Sequence, residues 1–103
     1  MSTITKKNLI EKISQKVKIH PNYIKNVVQY LFDEIMTSLE KGDRLEFRDF
    51  GVFEVVIRKK KIGRNPKNAS VPIIIPERKA VKFMPGKKMK ELVGKSPSIE
   101  TVN

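Results

Sequence analysis

The chain has 103 residues, no cysteine and a formal net charge of +11. That length holds one domain with a small core, and the missing cysteines exclude disulfide and thiolate chemistry. No secretory apolar core and no run near the ~20 apolar residues of a membrane span occur, so a soluble, cytoplasmic protein is expected.

The segment ITKKNLIEKISQKV predicts a first helix. Thr5 is placed to cap it, and Leu9, Ile10, Ile13 and Val17 recur on one face. KIH interrupts the pattern. HPNYIKNVVQYLFDEIMTSLEKG predicts a second, longer helix, with Pro21 in its first turn and Gly42 as its stop. Its stripe of Ile24, Val27, Val28, Leu31, Phe32, Ile35 and Leu39 is wide. Two helices with so short a connection should form an antiparallel pair.

The period then changes from helical to alternating. Leu45 and Phe47 oppose Arg44, Glu46 and Arg48, and RDFG predicts a turn in which Gly51 supplies the permissive backbone. A second strand starts near Val52 and runs on into RKKK. A third, VPIIIPERKAVKF, comes after the polar turn GRNPKNAS. PGKKMKELV predicts a short C-terminal helix, and residues 95–103 a flexible tail after a domain of 1–94. Pro72 and Pro76 cannot donate to a central ladder. The later strands therefore read as a two-stranded arm over about 58–80, tipped by Asn65 to Ser70. Such a ribbon is marginal in water and should be ordered by a partner.

Charge is concentrated on that arm and on the segment leading into the last helix. Between Arg58 and Lys90 lie twelve basic residues and one acid, Glu77, while the rest of the chain balances. The twelve are Arg58, Lys59, Lys60, Lys61, Arg64, Lys67, Arg78, Lys79, Lys82, Lys87, Lys88 and Lys90. An excess of one sign in one third of a chain points to a polyanion partner. The apolar surface also exceeds what one small chain covers. Leu31, Ile35, Phe47, Phe50, Phe53 and Phe83 are assigned to the core or to a dimer contact, and VVI at 55–57 lacks alternation.

Catalytic chemistry is poorly supplied. His20, the one histidine, precedes Pro21 and reads as a helix-start residue. Asp33, Glu34, Glu46 and Asp49 lack histidine or cysteine companions and read as solvated carboxylates, so no metal, cofactor, small-molecule substrate or enzymatic activity is expected.

Four stretches, GDRLEFRDFGVFEV, GRNPKN, FMPGKKMKELV and the two-helix beginning, resemble the bacterial HU and integration host factor family of DNA-bending proteins. The resemblance spans about residues 3–94, and GRNP eleven residues after FG, followed by F-x-P-G-K, is specific as a set. It implies an α+β fold: a two-helix N-terminal hairpin, a three-stranded antiparallel sheet with a long protruding β-arm and a short C-terminal helix, as an intertwined dimer. The partner implied is double-stranded DNA, gripped in its minor groove within the nucleoid. By motif, Pro66 would be the wedge between base pairs, with Arg64 and Asn65 in the groove and Lys67 beside them. Lys6, Lys87, Lys88 and Lys90 would hold phosphates. Low, HU-like sequence selectivity in a homodimer is favoured. Site selection like that of integration host factor, possibly as a heterodimer, is the alternative. A basic RNA-binding protein and a dimer whose arm binds an acidic protein are the readings outside the family. Three departures stand out: Asn68-Ala69 replaces a Thr-Gly pair, one residue is added between Pro66 and Phe83, and the tail is longer. Without the glycine, Asn68 becomes the candidate for positive φ at the tip, and a bulge is expected there.

Overall fold

The structure, a computed structural model, describes residues 2–95. The expected tail, but for Lys95, lies outside the described residues. The chain divides into two compact units, Met1–Ser38 and Leu39–Asn103.

The first unit holds α1 (Lys6–Val17) and α2 (Pro21–Glu40), the second helix running past the unit's end. Thr5 caps α1 through a reciprocal pair. Its hydroxyl accepts from the Asn8 backbone N–H at 3.2 Å, and the Asn8 side chain accepts from the Thr5 N–H at 3.0 Å. The helix ends at Lys18, in the left-handed region with φ 57°. The Ser14 hydroxyl donates to the Ile19 carbonyl, which satisfies a buried polar group at the bend. The imidazole Nδ1 of His20 accepts from the Asn22 N–H at 3.1 Å, so this histidine caps α2 as expected. Lys6, at the start of α1, reaches Gln29 and lies over the Phe32 ring of α2.

The second unit holds five strands and a helix: β1 (Leu45–Phe47), β2 (Gly51–Arg58), β3 (Lys61–Asn65), β4 (Asn68–Ile75), β5 (Arg78–Pro85) and α3 (Lys87–Gly94). They form a three-stranded antiparallel sheet, β1-β2-β5, and a separate β3-β4 hairpin. The fold class matches the sequence expectation. Each long strand, however, is broken once, at Lys59-Lys60 on one side and Pro76-Glu77 on the other. The β2-β5 ladder ends at Arg58↔Arg78 and pairing resumes at Lys61↔Ile75. Pro76 has no N–H to carry the ladder through this gap.

Side chains alternate across the body sheet. One face carries Phe53, Val55, Phe83 and Val81, continued by Phe47 and Leu45 of β1. The rings of Phe47, Phe50, Phe53 and Phe83 meet with centroids 4.7–6.3 Å apart, a spacing that favours edge and tilted contacts. Of the VVI stretch expected to be covered on two faces, Val55 and Val56 are half-buried, as is the strand from Val52 on, but Ile57 is 62% exposed, so the expectation is corrected at its last residue, where the strand runs out toward the arm.

Two glycines differ in why they are needed. Gly42 takes φ +87° after α2, as expected of a helix stop. The expectation for Gly51 is corrected: the residue with positive φ in the β1-β2 turn is Asp49, at 68°, whose short polar side chain tolerates that region. Gly51 is needed for space instead, since a Cβ there would stand 2.6 Å from the Met84 carbonyl oxygen and from the Phe83 ring.

Candidate nucleic-acid interface

The hairpin β3-β4 closes on a two-residue turn, Pro66-Lys67, between the paired residues Asn65 and Asn68. Such turns ordinarily need positive φ, which a proline cannot adopt. The expectation of positive φ at Asn68 is corrected: neither Pro66, Lys67 nor Asn68 has it. Side chains hold the tip instead. Asn65 Oδ1 accepts from the Lys67 N–H at 2.9 Å. Asn68 Oδ1 accepts from the Ser70 N–H at 3.2 Å and from the Ser70 hydroxyl at 2.6 Å. Both are turns in which an asparagine side chain mimics a backbone carbonyl. Arg64 Nη1 donates to the Ala69 carbonyl at 3.1 Å.

The expected irregularity is present. Pairing runs Lys61↔Ile75 to Arg64↔Pro72 and then shifts to Asn65↔Asn68, so Ala69, Ser70 and Val71 bulge from β4. This places Pro72 directly opposite Arg64. Gly63 is not required to shape the arm: a Cβ there would meet the Ile75 side chain at an ordinary 3.5 Å. The hairpin lacks a core, and Ile62, Val71, Ile73 and Ile74 are exposed along it.

At the arm's root the body sheet gathers basic residues on one face. Arg58 and Arg78 stand directly opposite each other, and Lys82 shares their face, opposite Glu54. Glu54 also pairs with Arg44 at 3.7 Å. Like charges directly across a ladder repel, so the Arg58-Arg78 pair is a place where an anion would relieve strain. Lys79 falls on the other face, opposite Ile57 and with the phenylalanines, and is not brought together with that group. Lys59 and Lys60 occupy the break between the strands and Lys61 begins β3, all exposed.

The third basic group opens α3. The Gly86 N–H donates to the Phe50 carbonyl at 2.8 Å, and a Cβ on Gly86 would stand 3.1 Å from the Asp49 backbone. This contact ties the helix start to the β1-β2 turn. Lys87 and Lys88 enter the first turn, which has no acid and no side-chain cap. Cations there oppose the positive end of the helix dipole, whereas an anion would complement both. Lys90 follows within the helix. Lys6, the remaining assigned cation, belongs to the first unit.

Among the assigned core or contact residues, Ile35, Phe47 and Phe53 are half-buried, while Leu31, Phe50 and Phe83 are exposed at 53%, 49% and 38%. Sequence reasoning missed the internal bonds of Asn65, Asn68 and Arg64. Asparagines flanking a proline turn, with serine two residues after one of them, were the available signal. Among the described residues no cluster of acids or histidine could hold a metal ion, and no helix is long and apolar enough to cross a membrane.

Comparison with known proteins gives a consistent result. The family model described as bacterial DNA-binding protein matches residues 4–94. A probable DNA-binding protein HU of Chlamydia pneumoniae is 63% identical over 93 residues, covering 90% of this chain and 93% of that one. The integration host factor subunit alpha of Haemophilus influenzae is 38% identical over 96 residues, covering 93% and 99%. In the Anabaena HU–DNA cocrystal structure, the matching chain superposes with a TM-score of 0.81 at 28% identity, covering 91% of this chain and 100% of that one.

Proposed function

The chain belongs to the bacterial DNA-binding protein family, and on that premise we propose that it is an architectural protein that binds and bends double-stranded DNA. In this reading two copies form an intertwined dimer, and each β3-β4 arm lies in the minor groove. Pro66 wedges between base pairs at the tip. A proline ring suits the task because it is rigid and has no donor to leave unsatisfied in the stack. Arg64 and Asn65 enter the groove beside it, with Lys67 next to them. Arg58, Lys59, Lys60, Lys61, Arg78 and Lys82 at the arm root, and Lys87, Lys88 and Lys90 at α3, hold phosphates. Lys6, on the first unit, holds a phosphate of its own, while Lys79, on the opposite sheet face, is left out of this contact. Placement in the bacterial nucleoid accords with such a role, and the activity is one of binding rather than catalysis.

The observation that carries the reading is the coreless hairpin ending in Pro66, rooted in the opposed pair Arg58↔Arg78. An element without its own cover and with unneutralised cations is built for a polyanionic surface. HU-like low selectivity is favoured over site selection by the higher identity to an HU relative, 63% against 38% for an integration host factor subunit.

A competition among linear duplex, nicked duplex, an A-tract site and structured RNA tests this. Preference for the nicked duplex is expected, with DNA ends brought together in an energy-transfer assay. Preference for RNA would overturn the proposal.

A further inference from the structure

A concave surface also exists away from the arm, within the helical unit. Between α1 and α2 is a cleft of about 300 Å³ with Ile10 and Pro21 as its apolar walls. Lys6, Lys7 and Lys25 surround it, their aliphatic stems covering apolar surface, and Glu11 is its single acid. Ile10 is 6% exposed, so the floor of the cleft is the core of the unit itself. The ammonium of Lys6 is engaged by Gln29 and by the Phe32 ring. Lys7, Lys25 and Glu11 have no ion-pair partner among the described residues, where the one such pair is Arg44–Glu54. Two cations at the rim are therefore left to an outside partner.

Charge, polarity and size together restrict that partner. A rim with three lysines against one glutamate selects an anionic occupant. An apolar hollow is filled by an apolar group, so the occupant carries one as well. Ligand pockets run upward from roughly 300 Å³, which leaves room here for a single large side chain and not for a folded surface. A DNA backbone meets only the first of these conditions. Its phosphates are held by cations that protrude, and it has no apolar group to place in a hollow. We infer that the α1-α2 cleft is a docking site for an acidic peptide segment carrying one large apolar side chain. That side chain rests on Ile10 and Pro21, and carboxylates on either side of it reach Lys7 and Lys25. This surface goes beyond the DNA-bending role and does not depend on it.

The probes are capped peptides Asp-Glu-X-Glu-Asp, in which X is Gly, Leu or Phe, titrated into the isotope-labelled full chain while amide chemical shifts are followed. Shifts should centre on Ile10, Asn22 and Lys25. The dissociation constant should be roughly tenfold or more lower for X as Phe than for Gly, as burial of one ring requires. The double variant Lys7→Gln, Lys25→Gln should bind the Phe peptide roughly fivefold or more weakly and keep the order of the three peptides. Shifts spread over the arm lysines, with affinities independent of X, would reduce the effect to unspecific charge attraction and overturn the inference. Absence of any shift would overturn it too, as would affinity for the Phe peptide unchanged in the double variant. If a short DNA duplex perturbs Ile10 and Asn22 as strongly as the Phe peptide does, the cleft is part of the DNA surface and the inference falls. None of these outcomes alters the bending measurement, so the two roles stand or fall separately.

Discussion

Pro66 sits at the first position of a turn that its neighbours, not its own backbone, hold shut. Asn65 already bonds the Lys67 N–H, so replacing the proline leaves the hairpin's closing bonds in place. Pro66→Ala is therefore expected to keep most low-salt affinity and to lose much of the bend. Energy transfer between labelled DNA ends reads the difference, and an unchanged bend would exclude the wedge role. Gly51→Ala acts on the fold alone. Its Cβ would stand 2.6 Å from a backbone oxygen, which cannot be accommodated by a side-chain rotation. A loss on the order of 1–3 kcal/mol is expected in a denaturant titration, as for other overpacked sites. These two residues also mark what can be read from sequence at this scale. Thr5, Pro21 and Gly42 act through the local backbone, and local rules place them correctly. Gly51 and Asn68 do not. The need for glycine at 51 comes from Met84 and Phe83, more than 30 positions away, and the tip at 68 is solved by a hydrogen bond rather than by φ.

Among the elements, the arm and its root carry opposing demands of stability and binding. The ladder ends on Arg58↔Arg78, a like-charged pair that destabilises the free protein. Arg78→Gln should raise the thermal midpoint of the free protein while weakening its hold on DNA. A lower midpoint would mean that the pair is already neutralised within the protein. At α3, Lys88 stands in a first turn without an acid. Lys88→Ala should weaken binding to all sequences alike and flatten the slope of log affinity against log salt by about 0.9 for each phosphate released, one per copy in the dimer. A loss confined to some sequences would argue against a phosphate contact. The run of basic residues made the existence of this surface legible, because charge count needs no geometry. Its division did not show, since only the strand register separates Lys79 from Arg58, Arg78 and Lys82.

For the whole molecule the decisive fact is how little a single chain buries. Ile10, at 6% exposure, is its one buried apolar side chain among the described residues. Leu31, Phe32, Phe50 and Phe83 each leave more than a third of their surface open. A domain of this size has little stability in reserve, and apolar faces of this extent call for cover. The wide helical stripe and the surplus of phenylalanines carried that signal in the sequence, though not which surfaces would remain open. If a second copy supplies the cover, folding and association are one equilibrium, and the thermal midpoint must rise with protein concentration. A tenfold dilution should lower it measurably, with sedimentation showing a dimer and no folded monomer. Leu31→Asp would place a charge on the open face of α2, 53% exposed in the single chain. In a true monomer that change is nearly neutral, as surface substitutions are. In an intertwined dimer it buries an unpaired carboxylate in each copy and should abolish folding at micromolar concentration. A native protein that sediments as a folded monomer with a concentration-independent midpoint, and a Leu31→Asp variant indistinguishable from it, would therefore exclude the dimer, and with it the two-armed grip on DNA.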